Sequence, residues 1–204
     1  MYSKINSLIA KWKAVAISDG RKEVLLPLVN YIQEKINADE AIRLNFICTH
    51  NSRRSHLSQI WAQTMAYHVG LKNVSCYSGG TEATAIFIKV LETLTSQGFQ
   101  VLKLSENENP VVAVKFADNE NPILCFSKTY DHPFNPSTQF GAVMTCNNAD
   151  EGCPIVAGAE ARFPIKYDDP KAYDGTPLQT EKYAERSLDI AREMWWVFSQ
   201  IKYR

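Results

Sequence analysis

The sequence predicts an α/β protein built on a mainly parallel sheet, and three observations carry that expectation. Apolar runs of strand length alternate with longer segments of helical period. No internal repeat or low-complexity tract interrupts the alternation. Hydrophobic residues make up 45% of the chain and charged residues 22%, an ordinary globular balance that excludes a disordered chain. At 204 residues the chain suits one domain, or one domain with added elements at its ends. A chain of this length buries roughly two thirds or more of its unfolded surface, so its core requires neither metals nor disulfide staples.

Lys plus Arg and Asp plus Glu each total 22, giving a formal net charge of zero. That balance removes the usual electrostatic footprint of a nucleic-acid binder. No apolar run approaches the roughly 18 residues of a membrane span, so no membrane partner is expected. The first twenty residues carry charges inside their apolar stretch and no clear small-residue cleavage site. This argues against a signal peptide and for a cytoplasmic location. In that reducing compartment, five cysteines are expected to be core residues, ligands or chemical actors.

The elements follow in order. Ile5, Leu8, Ile9, Trp12 and Val15 recur at helical spacing, then Ser18 and Asp19 offer caps before a second helix. That helix carries Val24, Leu25, Leu28, Val29, Ile32 and Ile36 on one face. Residues 1–40 are thus read as a helical extension to a domain spanning 41–204. Arg43 to Cys48 is a short apolar strand, followed by a polar loop and a helix from about Ser55 to His68. Asn73 to Ser78 reads as a strand closed by Gly79 and Gly80, and Thr81 to Gln97 as a helix stopped by Gly98. Between Pro110 and Lys128, VVAVKF and ILCFSK flank a turn-rich tip and predict a hairpin. Phe140 to Cys146 is a strong strand, and Asn147 to Thr176, rich in Asp, Gly and Pro, is expected to be irregular. The chain closes with a helix from about Gln179 to Tyr203, burying Tyr183, Leu188, Ala191, Met194, Trp195 and Phe198.

The chemistry concentrates in FICTHNSRRSHLSQIW. Cys48 ends a strand, five residues follow, and Arg54 and Ser55 open a helix. A loop between a strand and a helix N-terminus gathers backbone N–H groups, and the helix dipole adds positive potential. The planar fork of Arg54 suits a tetrahedral oxyanion, and a cysteine in that field has its thiolate stabilised. Ser55 can donate a hydrogen bond to that thiolate. With 5 Cys and 8 Arg, chance supplies about 0.2 cysteines followed six places later by arginine, so the bare spacing is weak. The preceding apolar strand, the following serine and the amphipathic helix strengthen it. The bland alternative is a buried strand-end thiol beside a solvated helix start.

Cys48, Asn51, Arg54 and Ser55 match, position by position, the phosphate loop of the low-molecular-weight protein tyrosine phosphatases. They match equally the thioredoxin-coupled arsenate reductases built on the same fold. YSGGTEATA (Tyr77 to Ala85) resembles the family's second strand and the turn after it. The resemblance covers roughly residues 43–100 and 140–198. It implies a three-layer sandwich with about four central strands and the active site at the strand C-termini, decorated by the N-terminal helices and the hairpin. It also implies Cys48 as nucleophile, Arg54 as oxyanion clamp, Asn51 as the residue shaping the loop and Ser55 as thiolate partner. Thr49, His50, Ser52 and Arg53 complete the loop. His50 stands where the family usually has glycine, and Arg53 where it often has a second cysteine, adding positive charge near the mouth. Gln59 occupies a position where the reductases often carry a glutamate at a potassium site, so no metal is predicted, and no cofactor.

A leaving oxygen must be protonated, commonly by a carboxylic acid on a mobile loop. By resemblance, Asp169 in Asp168-Asp169-Pro170 is that general acid; the alternative is that the pair caps a turn. In MTCNNADEGCPI, Cys146 ends a strand and Cys153 follows seven residues later across small or polar residues. The loop is soft enough to bring two sulfurs together, and thiolate exchange is ordinary chemistry for such a pair. The segment resembles the redox segment of the arsenate reductases. There, Cys146 would attack the Cys48 adduct, Cys153 would resolve the Cys48–Cys146 disulfide, and thioredoxin would reduce the Cys146–Cys153 bond.

Cys76 and Cys125 lie inside apolar strand patterns and need no chemical role. His56, His68 and His132 are single histidines suited to surface or satisfied positions. Three functions are consistent with these residues. The first is an arsenate reductase, the second a phosphatase acting on phosphotyrosine or another phosphomonoester through a cysteinyl-phosphate. The third is a non-catalytic oxyanion or redox sensor using the same loop.

Overall fold

The computed structural model describes residues 1–12, 15–152 and 155–202. Helix α1 (Ser3–Trp12) turns Ile5, Ile9 and Trp12 into the core, the spacing of one helical face. Helix α2 (Asp19–Asn37) buries Leu25, Leu28, Val29 and Ile32, whereas Val24 is exposed and Ile36 half-buried. Val15, expected on the first helical face, lies beyond the end of α1 and is exposed.

Strand β1 (Ile42–Cys48) is buried at every position but Arg43, the mark of a central parallel strand covered on both faces. Helix α3 (Arg54–His68) follows, then strand β2 (Val74–Gly80) and helix α4 (Ile88–Gln97), which Gly98 stops in the left-handed conformation at φ 102°. Strands β3 (Gln100–Lys103), β4 (Val112–Lys115) and β5 (Ile123–Cys125) form a separate antiparallel sheet. The predicted hairpin is its β4–β5 pair. Strand β6 (Phe140–Met144) is wholly buried, helix α5 (Asn147–Gly152) is short, and strand β7 (Ala159–Phe163) lies at an edge. A 3-10 turn at Pro170–Tyr173 leads to the last helix, α6 (Gln179–Ser199).

The central sheet has the order β2-β1-β6-β7, and every neighbouring pair is parallel. This is the parallel four-stranded α/β fold the sequence predicts. Alternation along the central strands feeds two cores. Leu44, Phe46 and Val143 join the large core under α1, α2, α3 and α6, while Ile47, Ala142 and Met144 join a smaller one with Ala149 of α5. Trp61 of α3 is fully buried, edge-on to Trp12 at 5.5 Å and to Phe99 at 4.9 Å, each pair worth about 1 kcal/mol beyond its area. Its indole N–H donates to Ser187 Oγ at 2.8 Å, so the buried polar atom is satisfied.

The differences from expectation have local causes. Residues 81–87 do not continue a helix, because their backbone is committed elsewhere. Thr81 N–H donates to Cys48 O, Glu82 N–H to Thr49 O and Phe87 N–H to Ser52 O. The stretch expected to be irregular contains α5, β7 and the 3-10 turn. β7 is half exposed and shifts register at Phe140/Gly141, so its alternation is weak in sequence. β3 carries exposed residues at most positions and exists through pairing with β4. The last helix ends at Ser199, and Leu188 and Trp195 are only partly buried.

β1 places the site. The chain leaves it on one side through α3 to β2, and β6 returns on its other side. The crevice outside the strand C-termini at such a reversal is where open parallel sheets bind ligands. Cys48 stands there, in register with Gly80.

Candidate active site

Residues 49–53 link the end of β1 to α3 and wrap over the strand ends. The turn passes through Asn51 in the left-handed region at φ 44°, a conformation asparagine tolerates better than most residues. Gly80 lets the loop come close. A Cβ there would lie 2.6 Å from Thr49 O and 2.8 Å from Asn51 N, and closer still to Glu82 O.

A polarised chain of hydrogen bonds ends on the Cys48 sulfur. The Lys128 backbone N–H can only donate, and it meets Asn51 Oδ1 at 2.9 Å. That fixes the Asn51 amide, whose Nδ2 donates to Ser55 Oγ at 2.8 Å. The Ser55 hydroxyl keeps its own hydrogen for Cys48 Sγ, 3.1 Å away. Cys48, Asn51 and Ser55 are all buried.

The loop's other residues are placed as follows. The His50 carbonyl accepts from Thr84 Oγ1 at 3.1 Å and Ser127 Oγ at 3.0 Å. Its imidazole is half exposed and faces Glu82, with Nδ1 3.2 Å from Oε2, so the side chain stays outside the loop. Ser52 is buried and its carbonyl accepts from Phe87 N–H. Thr49 Oγ1 lies 3.5 Å from Cys146 Sγ.

Arg54 heads α3 and reaches the segment before the 3-10 turn. Its Nη1 donates to Tyr167 O at 3.0 Å and its Nη2 to Asp169 Oδ2 at 2.5 Å. Asp169 Oδ1 accepts Lys171 N–H at 3.0 Å, so this carboxylate caps the turn as well as facing the loop. Asp168 points to solvent, with Arg186 Nη2 3.5 Å away. A cavity of about 350 Å³ is lined by Arg54, Asp169, Cys146, Lys166, Tyr167 and the Asn147-Asn148 pair among others. Cys146 is buried, and its sulfur accepts the Ala149 N–H at 3.4 Å. Cys153, the predicted second redox cysteine, lies outside the described residues.

Arg53 differs from the expected charge at the mouth. Its Nε donates to Tyr183 Oη at 2.6 Å and its Nη2 to Asp174 Oδ2 at 2.7 Å, while the guanidinium stacks over Phe87 at 4.2 Å. Tyr183 in turn donates to Asp174 Oδ1 at 2.7 Å. Burial opposes ionisation of Asp174, but hydrogen bonds from Tyr183 and Gln179 and the Arg53 charge hold it below the usual carboxylate range.

Behind the loop lie two buried basic groups. Burial, together with the Lys128 charge, pushes His56 down to about 3, so it is neutral at physiological pH; its Nδ1 meets Ser78 Oγ at 3.2 Å. Burial brings Lys128 down to about 8, and its ammonium lies over Phe126 at 4.4 Å and Phe134 at 5.3 Å. Gln59 Nε2 donates to Cys76 O at 3.0 Å. Among the described residues, no cluster of three or more His, Cys, Asp or Glu stands ready to hold a metal. No helix among them is long and apolar enough to cross a membrane. Cys76 and Cys125 are buried, and burial raises both thiols.

Sequence reasoning missed Asp174, Tyr183, Ser127 and Lys128. Tyr183 reads as a core residue, and Ser127 and Lys128 lie in the hairpin segment outside the family resemblance.

The family model described as Low molecular weight phosphotyrosine protein phosphatase matches residues 43–109, the segment that carries β1, the loop, α3 and β2. No curated relative matches the chain in sequence. Among solved structures, a low molecular weight phosphotyrosine phosphatase from Vibrio cholerae O395 aligns at a TM-score of 0.52 and 15% identity, covering 78% of this chain and 95% of its own. A low molecular weight protein tyrosine phosphatase from T. tengcongensis aligns at 0.51 and 15%, covering 79% and 100%. An arsenate reductase from Archaeoglobus fulgidus aligns at 0.48 and 17%, covering 76% and 98%. At these identities the two phosphatase alignments speak to the fold alone.

Proposed function

We propose that this chain, whose residues 43–109 match the model of the low molecular weight phosphotyrosine protein phosphatases, a family of enzymes, is a thiol-dependent arsenate reductase. The Cys48 thiolate attacks arsenate held by Arg54. One arsenate oxygen leaves as water, with a proton from Asp169, and a Cys48–arsenic bond forms. The Cys146 thiolate then attacks the Cys48 sulfur. The sulfur–arsenic bond breaks, its electron pair reduces As(V) to As(III), and arsenite departs from a Cys48–Cys146 disulfide. Cys153 attacks Cys146 and frees Cys48, and thioredoxin reduces the resulting Cys146–Cys153 disulfide.

The observation that carries this reading is the position of Cys146. Its sulfur is 3.5 Å from Thr49 Oγ1, next in sequence to Cys48, and it lines the same cavity as Arg54 and Asp169. The cavity's lining is polar, which suits a small inorganic oxyanion.

A phosphatase is the second reading, favoured by the pairing of Arg54 with Asp169 beside the Cys48 loop, because ester hydrolysis needs no second thiol. In it, water hydrolyses a cysteinyl-phosphate. NADPH consumption with thioredoxin, thioredoxin reductase and arsenate, beside p-nitrophenyl phosphate hydrolysis, separates the two. Arsenate-dependent NADPH loss that disappears in Cys146→Ser supports the reductase. Hydrolysis without NADPH loss supports the phosphatase, and silence in both returns the loop to anion or redox sensing.

A further inference from the structure

We infer that Arg53 is a positioning residue that keeps the Asp169-bearing segment over the Cys48 loop while Arg54 changes partners from Asp169 to the oxyanion. The inference rests on the reading of Cys48, Arg54 and Asp169 as the reacting group.

Arg53 and Arg54 are consecutive, at the junction of loop and α3, and they grip the two ends of one segment. Arg54 takes its near end, through Tyr167 O and Asp169. Arg53 takes its far end, through Asp174, which closes the 3-10 turn Pro170–Tyr173. Both Nη atoms of Arg54 are engaged in this structure. An oxyanion that takes the guanidinium bidentately through Nη2 competes with Asp169 for that nitrogen and loosens its hold. At that moment the acid's tie to the loop weakens, yet its proton is needed within hydrogen-bond reach of the departing oxygen.

The far end does not depend on Arg54. Asp174 accepts from Arg53 Nη2, from Tyr183 Oη and, at 3.0 Å, from Gln179 Nε2. Tyr183 is fully buried on α6, so its hydroxyl is a fixed point. The Arg53 fork bridges Tyr183 and Asp174 with two nitrogens while its face rests on Phe87. A lysine ammonium cannot reproduce that planar bridge. The turn between Asp169 and Asp174 is short, and Asp169 caps it itself through Lys171 N–H. Fixing Asp174 therefore restricts where Asp169 can go once released.

The test compares the full chain with Arg53→Met, Arg53→Lys and Asp174→Asn on p-nitrophenyl phosphate and phenyl phosphate, with inorganic phosphate as inhibitor. Phenolate is the poorer leaving group and depends more on the acid. The expected result is a loss of about tenfold or more in kcat on phenyl phosphate, against under about threefold on p-nitrophenyl phosphate. The phosphate inhibition constant stays within about twofold, which shows the loop intact in each variant. Equal losses on both esters, or none, overturn the inference while leaving the Cys48 reading in place. Should the parent reduce arsenate but hydrolyse no ester, the readout becomes arsenate-dependent thiol loss in a single turnover. The same tenfold drop at unchanged phosphate inhibition supports the inference, and an unchanged rate overturns it. A parent inert toward esters and arsenate alike overturns the Cys48 reading, and the role of Arg53 with it.

Discussion

Ser55 Oγ lies 3.1 Å from Cys48 Sγ and already accepts the Asn51 amide at 2.8 Å, so its hydroxyl hydrogen is directed at the sulfur. A charge-assisted hydrogen bond of this kind contributes about 1.5–3 kcal/mol. Ser55→Ala should therefore slow iodoacetamide alkylation of Cys48 at neutral pH by about tenfold or more. Unchanged alkylation would mean that the serine does not serve the thiolate.

Asn51 combines a left-handed backbone with two side-chain bonds, one to Ser55 and one from Lys128 N–H. Asn51→Ala loses both and places alanine at φ 44°, at a cost of about 2–3 kcal/mol by urea denaturation. Asn51→Gly relieves the backbone and should recover part of that stability, while Cys48 reactivity stays low in both variants. Recovery of reactivity in the glycine variant would make the backbone, rather than the amide, the working part.

Asp169 both faces Arg54 and caps the 3-10 turn. Asparagine keeps an acceptor for Lys171 N–H but cannot give up a proton. Asp169→Asn should leave stability within about 1 kcal/mol and lower phosphate-ester hydrolysis or arsenate turnover by roughly 10²-fold or more. A loss of stability with little loss of rate would make it a cap alone.

Lys128 gives a pH signature. Burial lowers it from its usual 10.5 to about 8, so between those values the unfolded chain holds a proton that the folded chain has released. Its contribution is least favourable below about pH 8 and improves as pH rises toward 10.5. Lys128→Met should be more stable than the parent at pH 7, by at most about 3 kcal/mol, with the difference shrinking toward pH 10 in denaturant titrations. A variant less stable than the parent at pH 7 would mean that the contacts of the ammonium with Phe126 and Phe134 outweigh its burial.

Much of this was legible in sequence, and particular residues show why. β1 and β6 are covered on both faces, so their apolar runs stand out, and Cys48 with Arg54 and Ser55 marks the loop. Half-exposed β7 and β3 carry little pattern, because pairing with a neighbour defines them. Residues 81–87 have helical composition but give their amides to the loop carbonyls, a tertiary demand that no local signal records. Arg53 meets Tyr183 130 positions away and Lys128 meets Asn51 77 positions away, separations at which spacing says nothing.

The central claim is that Cys146 completes arsenate reduction begun at Cys48. The most direct measurement is a single turnover of fully reduced Cys153→Ser protein with arsenate, without thioredoxin, quenched by acid and digested for mass spectrometry. The expected product is a Cys48–Cys146 disulfide in amounts matching the arsenite released. Arsenite without that disulfide, or no thiol loss beside active phosphate-ester hydrolysis, would contradict it.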